Sequence, residues 1–65
     1  MEIIVNGKDA AGDFSTVAEL LDKEELDPRL VVVELNGHIL PAADYATKKL
    51  APGDTVEIVQ FVAGG

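Results

Sequence analysis

The 65-residue sequence has no cysteine and no tryptophan, a single histidine, and only three aromatic side chains, Phe14, Tyr45 and Phe61. Without cysteine there is no disulfide framework and no thiolate nucleophile, and one histidine cannot complete any of the usual structural metal sets. The absence of cysteine agrees with a reducing compartment. With no basic stretch leading into an apolar one at the start, the reading is a soluble cytoplasmic protein rather than an exported one. No apolar run approaches the roughly 20 residues of a membrane helix. Cations are scarce as well: five Lys and Arg stand against 12 Asp and Glu, a net charge of −7. Phosphate backbones and anionic lipid surfaces are bound by clustered cations, so nucleic acid and membrane are not expected partners. The acidic surplus serves either solubility or attraction toward a partner with a basic face.

What is present reads as one small domain, near the lower size limit for folding without disulfides or metal and too small for a large active-site cleft. "MEIIVNGKDAAGDF" opens with Ile3-Ile4-Val5 and then Asn6-Gly7, the pair that most readily takes the positive φ angles of a two-residue hairpin turn. "STVAELLDKEEL" predicts a helix closed by Asp27-Pro28. Thr16 caps it, Glu19 completes a capping box, and Val17, Leu20 and Leu21 share one face. "RLVVVELNGHIL" predicts a strand, a second Asn-Gly turn at Asn36-Gly37 and a short strand. "TVEIVQFVA", after the turn Pro52-Gly53-Asp54, predicts the last strand.

One helix can cover only one face of the resulting sheet. Side chains alternate along strands, so if Ile3 and Val5 meet the helix, Ile4 points away. If Val56 and Ile58 point inward, Val59 and Phe61 point outward. The outward apolar residues have more than one reading. Either twist and the loop around Tyr45 cover them, or they are the scattered exposed apolar residues that any protein carries, or Ile4, Val32, Val59 and Phe61 form a patch where a partner docks.

Side-chain catalysis finds no support. Ser15, the only serine, stands at the helix start as a structural cap, and His38 follows a hairpin glycine. Glu24 and Glu25 are neighbours in sequence and do not share a helix face. No G-x-x-x-x-G-K-[ST] loop is present. What remains is the end "FVAGG". Two terminal glycines arise by chance in roughly 0.5% of chains. A terminal carboxylate is ionised at neutral pH and unreactive until activated, for instance as an acyl-adenylate. An extended Ala63-Gly64-Gly65 reaches at most about 10 Å, and glycines pass through narrow channels. The expected organisation is a domain over residues 1–62 and a flexible tail over 63–65, which threads into another protein's active site.

The start "MEIIVNGK", the segment "VVVELNGHILP", the turn and strand "LAPGDTVEIVQFV" and the end "AGG" together resemble the ThiS family, the ubiquitin-like sulfur carriers of thiamine biosynthesis, over essentially the whole chain. The most specific pieces are "LNGHILP" and "GDTVEIVQFVAGG". Family members often carry a basic residue after the proline and a tryptophan soon after; here Ala42 and Ala43 follow Pro41, and Tyr45 takes the aromatic place. The resemblance implies an α+β, ubiquitin-like β-grasp fold, a mixed sheet with one main helix packed across one face. It also implies a protein-borne sulfur donor rather than an enzyme, monomeric when free and binding no cofactor or metal of its own. In that cycle a ThiF-like, E1-like enzyme uses ATP to adenylate the Gly65 carboxylate, and a sulfur donor converts it to a thiocarboxylate. A ThiG-like thiazole synthase then receives the sulfur. Gly65 would carry the sulfur, and Ala63 and Gly64 would share the threaded tail.

Three other classes of protein share some of these features. A molybdopterin-synthase small subunit shares fold and ending, but such chains tend to be longer and "LNGHILP" favours the thiamine branch. A protein modifier would join Gly65 to a lysine of its target. A plain β-grasp binding module, for RNA for example, is disfavoured by the acidic balance and would not need the glycine pair.

Overall fold

The computed structural model describes residues 1–61. In chain order the elements are β1 (Glu2–Val5), β2 (Lys8–Ala11), helix α1 (Val17–Lys23), a 3-10 turn (Pro28–Leu30), β3 (Val31–Leu35), β4 (His38–Leu40), a second 3-10 turn (Ala42–Asp44) and β5 (Thr55–Gln60). Both Asn-Gly pairs make the hairpins expected of them. Asn6 and Gly7 have φ of 50 and 80°, Asn36 and Gly37 of 51 and 86°, the doubly positive signature of a type I′ turn. The sheet order is β2-β1-β5-β3-β4. β1 and β5 run parallel, and every other neighbouring pair is antiparallel.

The amino-terminal end of α1 is as its sequence predicts. Thr16 Oγ1 accepts from the Glu19 N–H at 3.2 Å, and Glu19 Oε1 accepts in return from the N–H groups of Thr16 and Ser15 and from the Ser15 hydroxyl. These donors, Ser15 N–H foremost, hold the Glu19 carboxyl below its ordinary pKa. The carboxy-terminal end differs from expectation. The helix stops at Lys23, well short of Pro28, because the chain closes a Schellman motif: Leu26 N–H donates to Leu21 O at 2.9 Å and Glu25 N–H to Asp22 O at 3.0 Å. Glu25 takes the left-handed position with φ 59°, where glycine is more usual, and Leu26 is turned back against the core. Asp27-Pro28 instead begins the 3-10 turn, with the Asp27 carboxylate accepting from Arg29 N–H at 2.9 Å.

The core lies between α1 and one face of the sheet. Ile3, Val17, Leu20, Leu21, Val33 and Val56 are fully buried there, with Phe14, Leu50 and Tyr45 closing the margins. The connector from Pro41 to Leu50 lies on this same side. Ala18 N–H donates to Tyr45 O at 2.8 Å, Leu50 N–H to Ser15 O at 2.8 Å, and the Tyr45 hydroxyl to Val31 O at 3.4 Å. The Tyr45 loop therefore seals the helix side and leaves the opposite face of the sheet uncovered, so it does not cover the outward apolar residues.

Candidate functional site

The strand that leads toward the carboxy terminus is held on both sides. β5 follows a turn in which Gly53 has φ 87° and Asp54 N–H donates to Ala51 O at 3.1 Å, the arrangement of a type II turn with glycine at its third position. On one side β3 pairs with it from Val31↔Gln60 to Leu35↔Val56. On the other side β1 pairs only through Ile4↔Thr55 and Val5↔Val56 before turning away.

The two turn asparagines extend this support. Asn6 N–H donates to Val56 O at 2.9 Å, and Asn6 Oδ1 accepts from Ile58 N–H at 2.7 Å. A side-chain carbonyl thus takes over the ladder where the β1 backbone departs. Asn36 Oδ1 accepts from Thr55 N–H at 2.9 Å, while Asn36 Nδ2 donates to the Asp54 carboxylate at 3.1 Å. Asn-Gly in the sequence signals a hairpin; that each asparagine also clamps a distant strand has no local signature. At the far end Phe61 N–H donates to Leu30 O at 2.7 Å, so the backbone is fixed up to the last described residue.

Val32 and Val59 are direct cross-strand partners on the uncovered face, and Phe61 lies two residues further along the chain, on the same face by alternation. Val59 and Phe61 are 57% and 54% exposed. Ile4 is on the same face but half-buried beside Thr55, about 13 Å along β5 from Val59 at the usual rise per residue. The structure therefore brings three of the four candidate patch residues together and sets Ile4 apart. It adds Ile39, which sequence reasoning missed: it lies on β4 opposite Glu34 and is 71% exposed. Alternation along the three-residue strand "HIL" was the signal that could have found it. Ser15, His38, Glu24 and Glu25 are all exposed, and Ser15 serves the helix cap. Among the described residues no group of His, Asp and Glu converges as metal ligands do, and no helix is long and apolar enough to cross a membrane. Ala63, Gly64 and Gly65, the proposed threaded tail, lie outside the described residues.

A five-stranded mixed sheet with a parallel β1–β5 pair at its centre and one helix across one face is the ubiquitin-like β-grasp fold, and the candidate site belongs to its last strand rather than to a cleft. Residues 2–65 match the model of the ThiS family. Sulfur carrier protein ThiS of Bacillus subtilis is 38% identical over 63 residues, covering 94% of this chain and 96% of that one. The crystal structure of thiamine biosynthesis protein ThiS from Geobacter metallireducens superposes with a TM-score of 0.83 at 35% identity, covering all of both chains. A thiazole synthase of Paramagnetospirillum magneticum is 39% identical over 66 residues; the match covers all of this chain but only 20% of that protein's length. The chain belongs to the ThiS family, the sulfur carriers of thiamine biosynthesis.

Proposed function

We propose that the carboxylate of Gly65 is the group on which this protein acts as co-substrate of two partner enzymes. An E1-like, ThiF-like enzyme binds ATP. A Gly65 carboxylate oxygen attacks the α-phosphorus, pyrophosphate leaves, and an acyl-adenylate is formed. The terminal sulfur of a donor persulfide then takes the acyl carbon and AMP leaves with the bonding pair. A thiolate attacks the donor-side sulfur of the resulting acyl disulfide, the S–S bond breaks to give a new disulfide, and the thiocarboxylate is released with the bonding pair. Thiazole synthase receives that sulfur. The chain brings no catalytic side chain and no bound cofactor to these steps. Its own contribution is to present Ala63, Gly64 and Gly65 from a fixed base and to dock through Val32, Val59 and Phe61. The free protein is a monomer, and the setting is the cytoplasm, where ATP is supplied.

The observation that carries this reading is the anchoring of β5. Val56 and Ile58 are buried, Asn6 Oδ1 holds Ile58, and Leu30 O holds Phe61, so whatever follows Phe61 starts from a defined place beside the exposed apolar face. The similarity to a thiazole synthase over one fifth of that protein's length supports thiazole synthase as a partner. The test is incubation with a cognate adenylating enzyme, ATP and a sulfur donor, followed by intact-mass spectrometry. The expected result is a mass gain equal to exchange of one oxygen for sulfur, localised to Gly65 by fragmentation. No gain with an enzyme shown to be active on another carrier would overturn the reading.

A further inference from the structure

The uncovered face carries charge of one sign only. By strand alternation the charged side chains of β1 to β5 on that face are Glu2, Asp9, Glu34 and Glu57. All five cations lie elsewhere. Lys8 pairs with Val5 and so projects to the helix side, and Lys23 is on α1. Lys48 and Lys49 belong to the connector bonded to the start of α1. Arg29 is engaged by Asp27 at 2.8 Å, the one ion pair among the described residues.

Two of these acids are opposed. Glu34 on β3 and Glu57 on β5 are direct cross-strand partners, and like charges in that position destabilise an antiparallel pair. Solubility does not require the arrangement, since either carboxylate would serve as well opposite a neutral residue. Around the pair the face is apolar: Ile39 flanks Glu34 on β4, and Val32 and Val59 form the next outward-facing row, toward Phe61. A partner covering this border would exclude water and strengthen any charge contact inside it. A single guanidinium has a planar fork of donors that can bond both carboxylates at once, which an ammonium cannot match in geometry.

We propose that this face docks on a protein partner that presents an arginine from an apolar surface. The arginine sits between Glu34 and Glu57, while Val32, Ile39, Val59 and Phe61 close around it. This rests on the reading that the protein is passed between an adenylating enzyme and thiazole synthase, and it gives the chemistry by which at least one of them recognises the carrier.

The test uses the full chain with each purified enzyme, measuring affinity by calorimetry in dilute buffer and again in molar salt. Glu34→Gln and Glu57→Gln should each weaken binding to one enzyme at least about tenfold in dilute buffer, with the difference shrinking in salt. The double variant should lose less than the product of the two, because the carboxylates share one cation. Glu25→Gln, which removes the same unit of charge on the helix side, should change affinity by less than about twofold. The free chain offers a reading without any partner: Glu57→Gln should raise the melting midpoint by relieving the repulsion.

Wild-type chain that binds neither enzyme would sink the carrier reading and this proposal with it. Wild type that binds while both Gln variants bind equally well overturns this proposal alone. So does an equal loss in Glu25→Gln, which would reduce the effect to overall charge, and so does a midpoint unchanged or lowered by Glu57→Gln.

Discussion

The two faces of the sheet are drawn from the same strands and share the same apolar residue types, yet they are used in opposite ways. On one face Ile3, Val33 and Val56 are sealed beneath Leu20 and Leu21 of the helix. On the other Ile39, Val59 and Phe61 keep more than half of their surface in water, beside acids that make no ion pair among the described residues. The difference is cover, not composition. One seven-residue helix and the Tyr45 connector are spent on a single side. The side left open therefore has to be tolerated in isolation or covered by something else.

The largest test of this contrast is Leu20→Ala, which removes the centre of the helix face that seals the inner side. Truncation of a fully buried leucine costs about 2–5 kcal/mol. A domain of this size is expected to hold about 3–10 kcal/mol in total. Chemical denaturation should therefore show most of the stability gone, and a loss below about 1 kcal/mol would mean the core collapses around the gap. Next comes a matched pair, Val33→Thr and Val59→Thr, which exchanges a methyl for a hydroxyl at nearly constant shape. Inside, the hydroxyl is buried among apolar side chains and costs about 1–3 kcal/mol. Outside, the same change stays within about 0.5 kcal/mol. Equal costs would break the distinction between the faces.

Asn6→Gly keeps the positive φ of the hairpin but removes the acceptor of Ile58 N–H, leaving a part-buried donor unmade at a cost of about 1–2 kcal/mol. Amide exchange at residue 58 should accelerate more than at residue 33. Uniform acceleration would assign Asn6 to the turn alone.

Much of this molecule was legible in short stretches. Alternation separated Val56 and Ile58 from Val59 and Phe61, the spacing of Val17, Leu20 and Leu21 marked the buried stripe of α1, and Thr16 with Glu19 marked its start, because each of these depends on residues within one strand or one turn. The end of α1 was misplaced because a Schellman closure with glutamate at the left-handed position lacks the glycine that announces it. Ile4 was grouped with Val59 because alternation gives the face of a residue but not its row; only the pairing Ile4↔Thr55 sets the two apart. The Glu34–Glu57 opposition and the clasp of Ile58 by Asn6 join residues far apart in the chain, so they follow from register, which no local pattern carries.

The smallest expected effect lies where the open face ends. Leu30, whose carbonyl holds Phe61, closes the 3-10 turn that Asp27 caps, and the Asp27 carboxylate also takes Arg29 Nε at 3.1 Å and Nη2 at 2.8 Å. The side-chain bonds from Arg29, followed by the bond from its backbone N–H, lower the Asp27 pKa from 3.8 to about 2. A folded value below the unfolded one means that the native state resists the proton. The stabilisation is therefore complete above the ordinary aspartate range and is lost as pH falls from 3.8 through about 2. Arg29 is 85% exposed, so water and salt screen the pair and its contribution to stability is small. Carboxyl NMR should show Asp27 titrating near pH 2, with the Phe61 amide shift following the same midpoint if the turn transmits the loss to the end of β5. A Phe61 amide that ignores this titration would place the Asp27–Arg29 pair outside the support of the strand end, leaving Leu30 O as its only anchor there.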